Sequence, residues 1–308
     1  MDRMVEDTQA HGHCTFARYA AEVPQRIIAV PIVGSLSSSL AKRFHDLTTL
    51  FIEGLVSFPI NLGRFSAYGR ALRARREMAG LIKDLLEHPE GRDGTVVGDL
   101  ATATAEGAAF SEAELVDTVF TLLFAGQATT TEALPPLIYE LARRPDWART
   151  IADEPYRFDQ VEGDTATARF VREVLRHHPP EVIIQRQNRR CPIALGDLGH
   201  VPAGYNVMAC FGETMWSMGE DFDPDRWTHD VTRESFLSFG GSTPHSCVGR
   251  GLAMLELQLF ARILCREYDV EVVKAERVRN WQLGGALFCF RDGLWLKLSK
   301  REGPPSVS

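Results

Sequence analysis

The strongest constraint on this chain is one long helix signal. Ser111-Glu112-Ala113-Glu114 has the form of a capping box, a serine at the cap with a glutamate three residues on. An apolar stretch at helical spacing runs from it to Leu141-Ala142-Arg143-Arg144, and Pro145 ends it. Inside, Ala125-Gly126 thins the helix wall, and Pro135-Pro136 removes backbone bonds and predicts a bend. Helical spacing also covers 37–56, 66–88 and the stretch from Leu252 to Tyr268. Strand signals are short and late: Val182-Ile183-Ile184, the segment Val201 to Val207, and the alternation of Leu294 to Leu298 after an Asp292-Gly293 turn. The pattern predicts a mainly α fold with a minor β part, not repeating βαβ units.

Composition narrows the function classes. The 308 residues carry 34 basic and 41 acidic side chains, a formal charge of −7. That is too acidic for a domain built to grip nucleic-acid phosphates and too apolar for a disordered chain. The length is ample for one large core, so a single domain over 1–308 is expected, with a disordered tail at 299–308. No stretch reaches the ~18 apolar residues of a membrane span, and the N-terminus has no apolar signal-peptide core. Six scattered cysteines without CxxC pairs read as a reducing compartment, so a cytoplasmic location is expected. Arg70, Arg73, Arg75 and Arg76 read as a solvated helix face. His11-x-His13-Cys14 reads as a mobile polar end rather than a metal site, since no fourth ligand is near.

Three segments carry possible chemistry. In Phe239-Gly240-Gly241-Ser242-Thr243-Pro244-His245-Ser246-Cys247-Val248-Gly249, a glycine-rich loop leads into a helix. A cysteine there is favoured as thiolate by the helix N-terminus. One cysteine without partners does not make a closed zinc site, but a single axial thiolate suits haem iron. The bland reading is a small buried hydrophobe in a turn. Glu173 and Arg176, one turn apart, can pair within a helix, and Phe222 to Trp227 offers Arg226 in a Pro-punctuated loop. Such pairs are common on helix surfaces. Ala125-Gly126-Gln127-Ala128-Thr129-Thr130 offers either a groove with a carbonyl left free or ordinary core packing with threonines back-bonded to the helix.

Together and in this order, these segments resemble the cytochrome P-450 family of haem-thiolate monooxygenases. Gly126 and Thr129 match the oxygen-groove motif; Glu173, Arg176 and Arg226 match the buried Glu-Arg-Arg network; Phe239, Gly241 and Gly249 match the haem-binding loop. The resemblance implies haem b as cofactor, Cys247 as its axial metal ligand, and His245 and Arg186 as partners of its propionates. It implies the all-α P-450 fold, with a long central helix over the haem. It also implies insertion of one oxygen atom from O2 into a small apolar substrate, a separate ferredoxin or flavin reductase as electron donor, no nucleic-acid partner, and a monomer. Val201 to Val207 and Cys247 to Glu256 look most like the retinoid- and sterol-hydroxylase branch.

Four departures from the family pattern stand out. The chain starts late, without a counterpart of the family's N-terminal part, as a truncated form would. Ala128 stands where an Asp or Glu usually relays protons, with Glu132 one turn later as a possible substitute. The haem loop is one residue longer at Ser242-Thr243-Pro244. The stretch from Val207 to Phe222 is shorter, and Thr214-Met215-Trp216-Ser217 replaces the usual His-Arg-Asp. These departures keep two alternatives open: a peroxide-using or rearranging haem-thiolate enzyme, and a truncated non-catalytic remnant.

Overall fold

The computed structural model describes residues 1–16, 19, 22–55, 57–88, 90–107, 110–155, 161, 163–228, 236–241, 245–282 and 285–301, with backbone only for 22–26 and 276–292. In chain order these form α1 (Asp2–His11), β1 (Cys14–Thr15), α2 (Glu22–Val33), α3 (Ser38–Leu55), α4 (Ala67–Glu87), α5 (Val96–Ala105), α6 (Glu112–Ala142), α7 (Pro145–Asp153) and α8 (Ala166–His177). Then come β2 (Ile184–Gln187), β3 (Ile193–Ala194), β4 (His200–Val201), β5 (Asn206–Ala209), α9 (Phe211–Trp216), α10 (Arg250–Glu267), β6 (Tyr268–Gln282) and β7 (Gly285–Lys300). The fold is mainly α with small antiparallel β pieces, as the periodicity predicts. The described residues group into two units, Thr15–Leu134 and Met1–Cys14 with Pro135–Ser308. Among the described residues no single helix is long and apolar enough to cross a membrane.

The capping box opens α6 as its residues predict. Ser111 N and Oγ both donate to Glu114 Oε2, at 2.8 and 2.7 Å, and Glu114 N donates back to Ser111 Oγ at 3.3 Å. The helix runs 31 residues and does not stop at Pro135-Pro136. The two rings lack N–H groups, so the carbonyls of Thr131 and Glu132 lose their usual helical donors there.

In the unit Thr15–Leu134, α3 and α4 pack antiparallel. The pairings Arg43 with Glu77, Thr48 with Met78 and Gly54 with Ala71 run in opposite senses along the two helices. Phe44, Leu47, Met78 and Ile82 are buried between them. Ser66 caps α4 by accepting from Gly69 N at 3.1 Å, and Thr95 caps α5 by accepting from Gly98 N at 3.2 Å. Phe51 meets Phe120 and Phe124 edge-on, at 4.9 and 5.2 Å, and so ties α3 to α6. The arginine cluster behaves as a solvated face: Arg75 pairs with Asp117 at 2.7 Å and Arg70 lies 3.7 Å from Glu53.

In the other unit α10 packs against α7 and α8, burying Ile151, Phe170, Val171, Leu257, Ala261 and Leu264. Glu154 caps α8 from a distance, its carboxylate accepting from Ala166 N at 2.6 Å and Thr167 N at 3.0 Å. β6 and β7 form an antiparallel hairpin, β2 pairs with β5, and β3 with β4.

The structure corrects five of the expectations. Asp292-Gly293 is not the hairpin turn: it lies inside β7, where the register shifts past Lys274, and Gly293 takes φ +82°. A bulge needs the same left-handed residue as a tight turn, so the dipeptide alone did not distinguish them. Strand β2 starts at Ile184, two residues after Val182, and Val201 to Val207 is split between β4 and β5 by a turn. The N-terminal end is no loose tail. Met4 of α1 is buried, Tyr268 Oη donates to Asp2 Oδ1 at 3.1 Å, and Leu298 N donates to Thr8 Oγ1 at 3.3 Å. Of the expected tail 299–308, Ser299 and Lys300 belong to β7 and Arg301 N donates to Glu267 O; 302–308 lie outside the described residues.

The α3–α4 contact generates a stability prediction. A Cβ on Gly54 would collide with Ala71 Cβ. Gly54→Ala should therefore lower stability by about 1–3 kcal/mol, through overpacking. A thermal melt checks it, and an unchanged or raised Tm would refute the assigned packing.

Candidate functional site

Helix α8 is buried nearly all round: Ala168, Phe170, Val171, Val174 and Leu175 are buried, and so are Glu173 and Arg176, both at 0% exposure. A charged pair survives there only if every lone pair and proton finds a partner. Arg176 Nε and Nη2 donate to Glu173 Oε2 and Oε1, at 2.9 and 2.8 Å. Its remaining protons go to the carbonyls of Met215 (3.0 Å), Gly219 (2.9 Å) and Asp221 (3.0 Å). All five guanidinium N–H groups are thus used. Glu173 accepts two more bonds, from Asp223 N at 2.9 Å and Trp227 Nε1 at 3.0 Å.

Arg226, the third member expected from the resemblance, stands 3.6 Å from Glu173 through Nε. Its Nη1 donates to Met218 O at 2.5 Å and its Nη2 to Asp221 O at 3.2 Å. The short stretch from Val207 to Phe222 is therefore wrapped around two guanidinium groups. Trp216 adds Nε1 to His177 O at 3.3 Å. Trp227 and the amide of Asp223 escaped the sequence reading, although both stand in the same Pro-punctuated loop as Arg226.

The network leads on toward the cysteine loop. Trp227 meets Phe236 edge-on at 5.1 Å, and Phe236 meets Phe239 at 5.9 Å. Cys247 N donates to Phe239 O at 2.8 Å. Ser238 Oγ donates to Leu175 O at 3.1 Å and so fastens the loop to α8. Gly240 and Gly241 have φ of +83° and +71°, conformations that favour glycine. Cys247 is exposed and Gly249 caps α10 with no side-chain cap bond, so the thiol stands at a helix N-terminus. A Cβ on Gly249 would lie 3.8 Å from Cys247 Sγ. Arg250 covers Phe239, its Cζ 5.8 Å from the ring. Ser242, Thr243 and Pro244 lie outside the described residues. His245 is exposed on this loop, and Arg186 is exposed on β2 with Nη1 donating to Gln185 O at 3.0 Å.

Gly126 and Thr129 belong to the unit Thr15–Leu134, the rest of the predicted site to the other. A Cβ on Gly126 would approach Ile28 Cδ1 to 2.5 Å, so glycine here admits the α2 side chain. Thr129 is exposed, and its Oγ1 donates to Ala125 O at 2.9 Å. That carbonyl, pictured from sequence as one that a groove could leave free, is engaged. Gln127 and Thr130 are buried, and Gln127 Nε2 lies 3.0 Å from His45 Nδ1.

Two further groups on α10 are buried. Burial pushes the Cys265 thiol up to about 12, which keeps it a neutral, inert thiol. Glu256 is 6% exposed and burial pushes its carboxyl up to about 7; its Oε1 has no hydrogen-bond partner among the described residues. A groove of about 710 Å³, lined by Leu141, Pro145, Leu264, Cys265 and Leu298 among others, holds none of the residues predicted for the site.

Comparison with known proteins agrees with the motif order. Residues 37–289 match the family described as cytochrome P450. Cholesterol 22-monohydroxylase CYP90B52 of Paris polyphylla is 27% identical over 258 residues, 74% of this chain and 53% of that protein. C-22 sterol desaturase ERG5A of Gibberella zeae is 31% identical over 170 residues, 49% of this chain and 31% of that protein. The chain spans about half the length of the curated relatives it matches, between 31% and 60%. The structure of retinoic acid-bound cyanobacterial CYP120A1 shares the fold with TM-score 0.76 at 22% identity, over 98% of this chain and 74% of that one.

Removing Glu173 leaves Arg176 buried without its counter-charge. Glu173→Ala should cost about 3–5 kcal/mol, whereas Trp227→Phe, losing only an N–H to a buried carboxylate, should cost about 1–3. Equal Tm values for both variants and the parent would contradict the network. Glu256 gives a pH signature. Its folded pKa of about 7 lies above the ordinary 4.5, so the folded state holds an extra proton between those values. Stability then falls as pH rises from about 4.5 to 7 and stays lower above it, by about 3 kcal/mol from the shift. Glu256→Gln should raise Tm at pH 8 and leave it nearly unchanged at pH 4.5; a uniform effect across that range would rule out this carboxyl as the cause.

Proposed function

The chain belongs to the cytochrome P450 family, and on that premise we propose that it is a haem-thiolate monooxygenase inserting one oxygen atom from O2 into a small apolar substrate. One observation carries the reading. Cys247 presents an exposed thiol at a helix N-terminus, on a loop pinned by Phe239 O and backed by the buried Glu173–Arg176 network. The donor set suits this cofactor. A single soft sulfur cannot close a zinc site, but a haem, whose porphyrin supplies four nitrogens, would need only one thiolate from the chain. Bound there, the haem would supply dioxygen activation, with thiolate electron density favouring O–O cleavage.

The chain's own residues would do the rest. Cys247 would ligate through Sγ, and the backbone around Gly249 would tune that sulfur from close range. His245 and Arg186 would pair with the propionates. Gly126 and Thr129 would line the oxygen side. Electrons would come from a ferredoxin or flavin reductase, since the sequence holds no flavin or iron–sulfur motif of its own. The relatives named as sterol enzymes and the retinoic acid-bound structural neighbour support an apolar, lipid-like substrate.

A second reading rests on Ala128. Alanine cannot relay a proton, which favours peroxide use or rearrangement of an already oxygenated substrate. Glu132, one turn on, is the substitute acid under the first reading. Desolvation raises its carboxyl above its ordinary value, the direction a proton-relaying acid needs.

The ferrous chain under carbon monoxide should give the strongly red-shifted Soret band of a thiolate adduct, and Cys247→Ala should lose it. Absence of that band from the parent would overturn the haem-thiolate assignment. Glu132→Gln should slow turnover with reductase and O2 by about 10²-fold or more and leave peroxide-driven turnover intact. Peroxide turnover alone in the parent would select the second reading.

A further inference from the structure

Among the described residues, one cluster of metal-ligating side chains lies outside the proposed haem site. It is formed by Glu140 near the end of α6 with His177 and His178 at the end of α8. From this cluster we propose that the chain holds a divalent transition-metal site of zinc type, with Glu140 Oε1, His177 Nδ1 and His178 Nε2 as its protein ligands. All three donor atoms lie within 4.8 Å of one another. His177 Nδ1 and His178 Nε2 are 3.2 Å apart, and His178 Nε2 and Glu140 Oε1 are 2.6 Å apart. Ligands at ~2.0–2.1 Å on a tetrahedral ion stand about 3.3 Å from each other. The histidine pair already has that spacing, and the Glu140–His178 contact opens by about 0.7 Å to reach it.

The surroundings prepare the donors. His177 Nε2 lies 3.1 Å from the carbonyl of Glu220, which can only accept, so that nitrogen carries the proton and a neutral His177 has its lone pair on Nδ1. A backbone carbonyl on the far nitrogen is the usual device for orienting a ligating imidazole. Arg144 contacts Oε2, which leaves Oε1 to serve as a monodentate ligand. The guanidinium also stacks over Phe222 at 3.9 Å from the ring centroid, closing one side of the site.

The chemistry of the set selects the ion. Two imidazoles and one carboxylate, with a cation on the outer oxygen, disfavour calcium and magnesium, which want several oxygens. They suit zinc, and at equal supply nickel or copper. Glu140 and His178 are buried and His177 is half-buried, so the ion enters past His177 and a water takes the fourth position. In the metal-free state Glu140 accepts from His178 Nε2–H. On binding, that proton leaves for solvent from an imidazolium, or moves to Nδ1 of a neutral ring, and Nε2 gives its pair to the metal. No electron changes hands. The ion would clamp residue 140 to the two residues after Arg176, next to Glu220 and Asp221, whose carbonyls serve His177 and the arginines.

The test uses the purified, haem-loaded chain, stripped of loose metal by a chelator and titrated with ZnCl2 by calorimetry. One equivalent should bind, with a rise in Tm that grows with free zinc. His177→Ala, at the half-buried position, should weaken binding by at least about tenfold. His13→Ala should not change it. X-ray absorption of the zinc-loaded parent should show two imidazoles and light N/O scatterers with no sulfur, a readout independent of whether any variant folds. Lack of one-to-one binding, unchanged affinity in a folded His177→Ala, or sulfur at the zinc would each overturn the site.

Discussion

A fully desolvated carboxylate and guanidinium, Glu173 and Arg176, set the terms for half of this structure. Neither is exposed, so each lone pair and proton left unmet would carry a desolvation cost with nothing to offset it. The protein meets them all with backbone and indole groups. Three carbonyls, of Met215, Gly219 and Asp221, are drawn to Arg176; the amide of Asp223 and the indole of Trp227 are drawn to Glu173. A loop of irregular backbone thereby acquires one conformation, because any other would strand a buried charge.

From that point order passes outward by packing. Trp227, held by its N–H, presents its ring to Phe236; Phe236 packs on Phe239; and the carbonyl of Phe239 receives the amide of Cys247. Ser238 ties the same loop to the last turns of α8. The thiol itself is exposed, but the backbone beneath it is anchored to the least accessible charges in the unit. The proposed role, holding a large planar group at one sulfur, would need such backing, since the sulfur's position is set by the chain behind it rather than by side-chain packing around it.

Legibility in the sequence followed the range of the interactions. The start of α6 could be read because Ser111 and Glu114 satisfy each other within one turn. The helices at 38–55, 67–87 and 250–267 could be read because one apolar face suffices to mark them. Asp292-Gly293 misled because a left-handed glycine serves a bulge as well as a turn, and only the partner strand decides which. Helix α1 escaped because its polar sequence is held by contacts with residues near 268 and 298, far off in the chain. In the candidate site the cysteine loop and the Glu-x-x-Arg pair were legible as motifs. Trp227 and the three carbonyls were not, since a backbone carbonyl carries no signature in sequence.

By itself the sequence determined the helical character, the capping of the long helix, the order of the three segments that carry the chemistry and the family to which they belong. These depend on residue type and on spacings within a few turns. Only the tertiary structure decided that Glu173 and Arg176 are buried rather than a surface pair. It also decided that Ile28 fills the space over Gly126 and that Glu140 meets His177 and His178. The physical reason is one of desolvation. The same side chains at the same spacing are nearly inert in water and decisive out of it, and which of the two holds depends on what the rest of the chain packs around them.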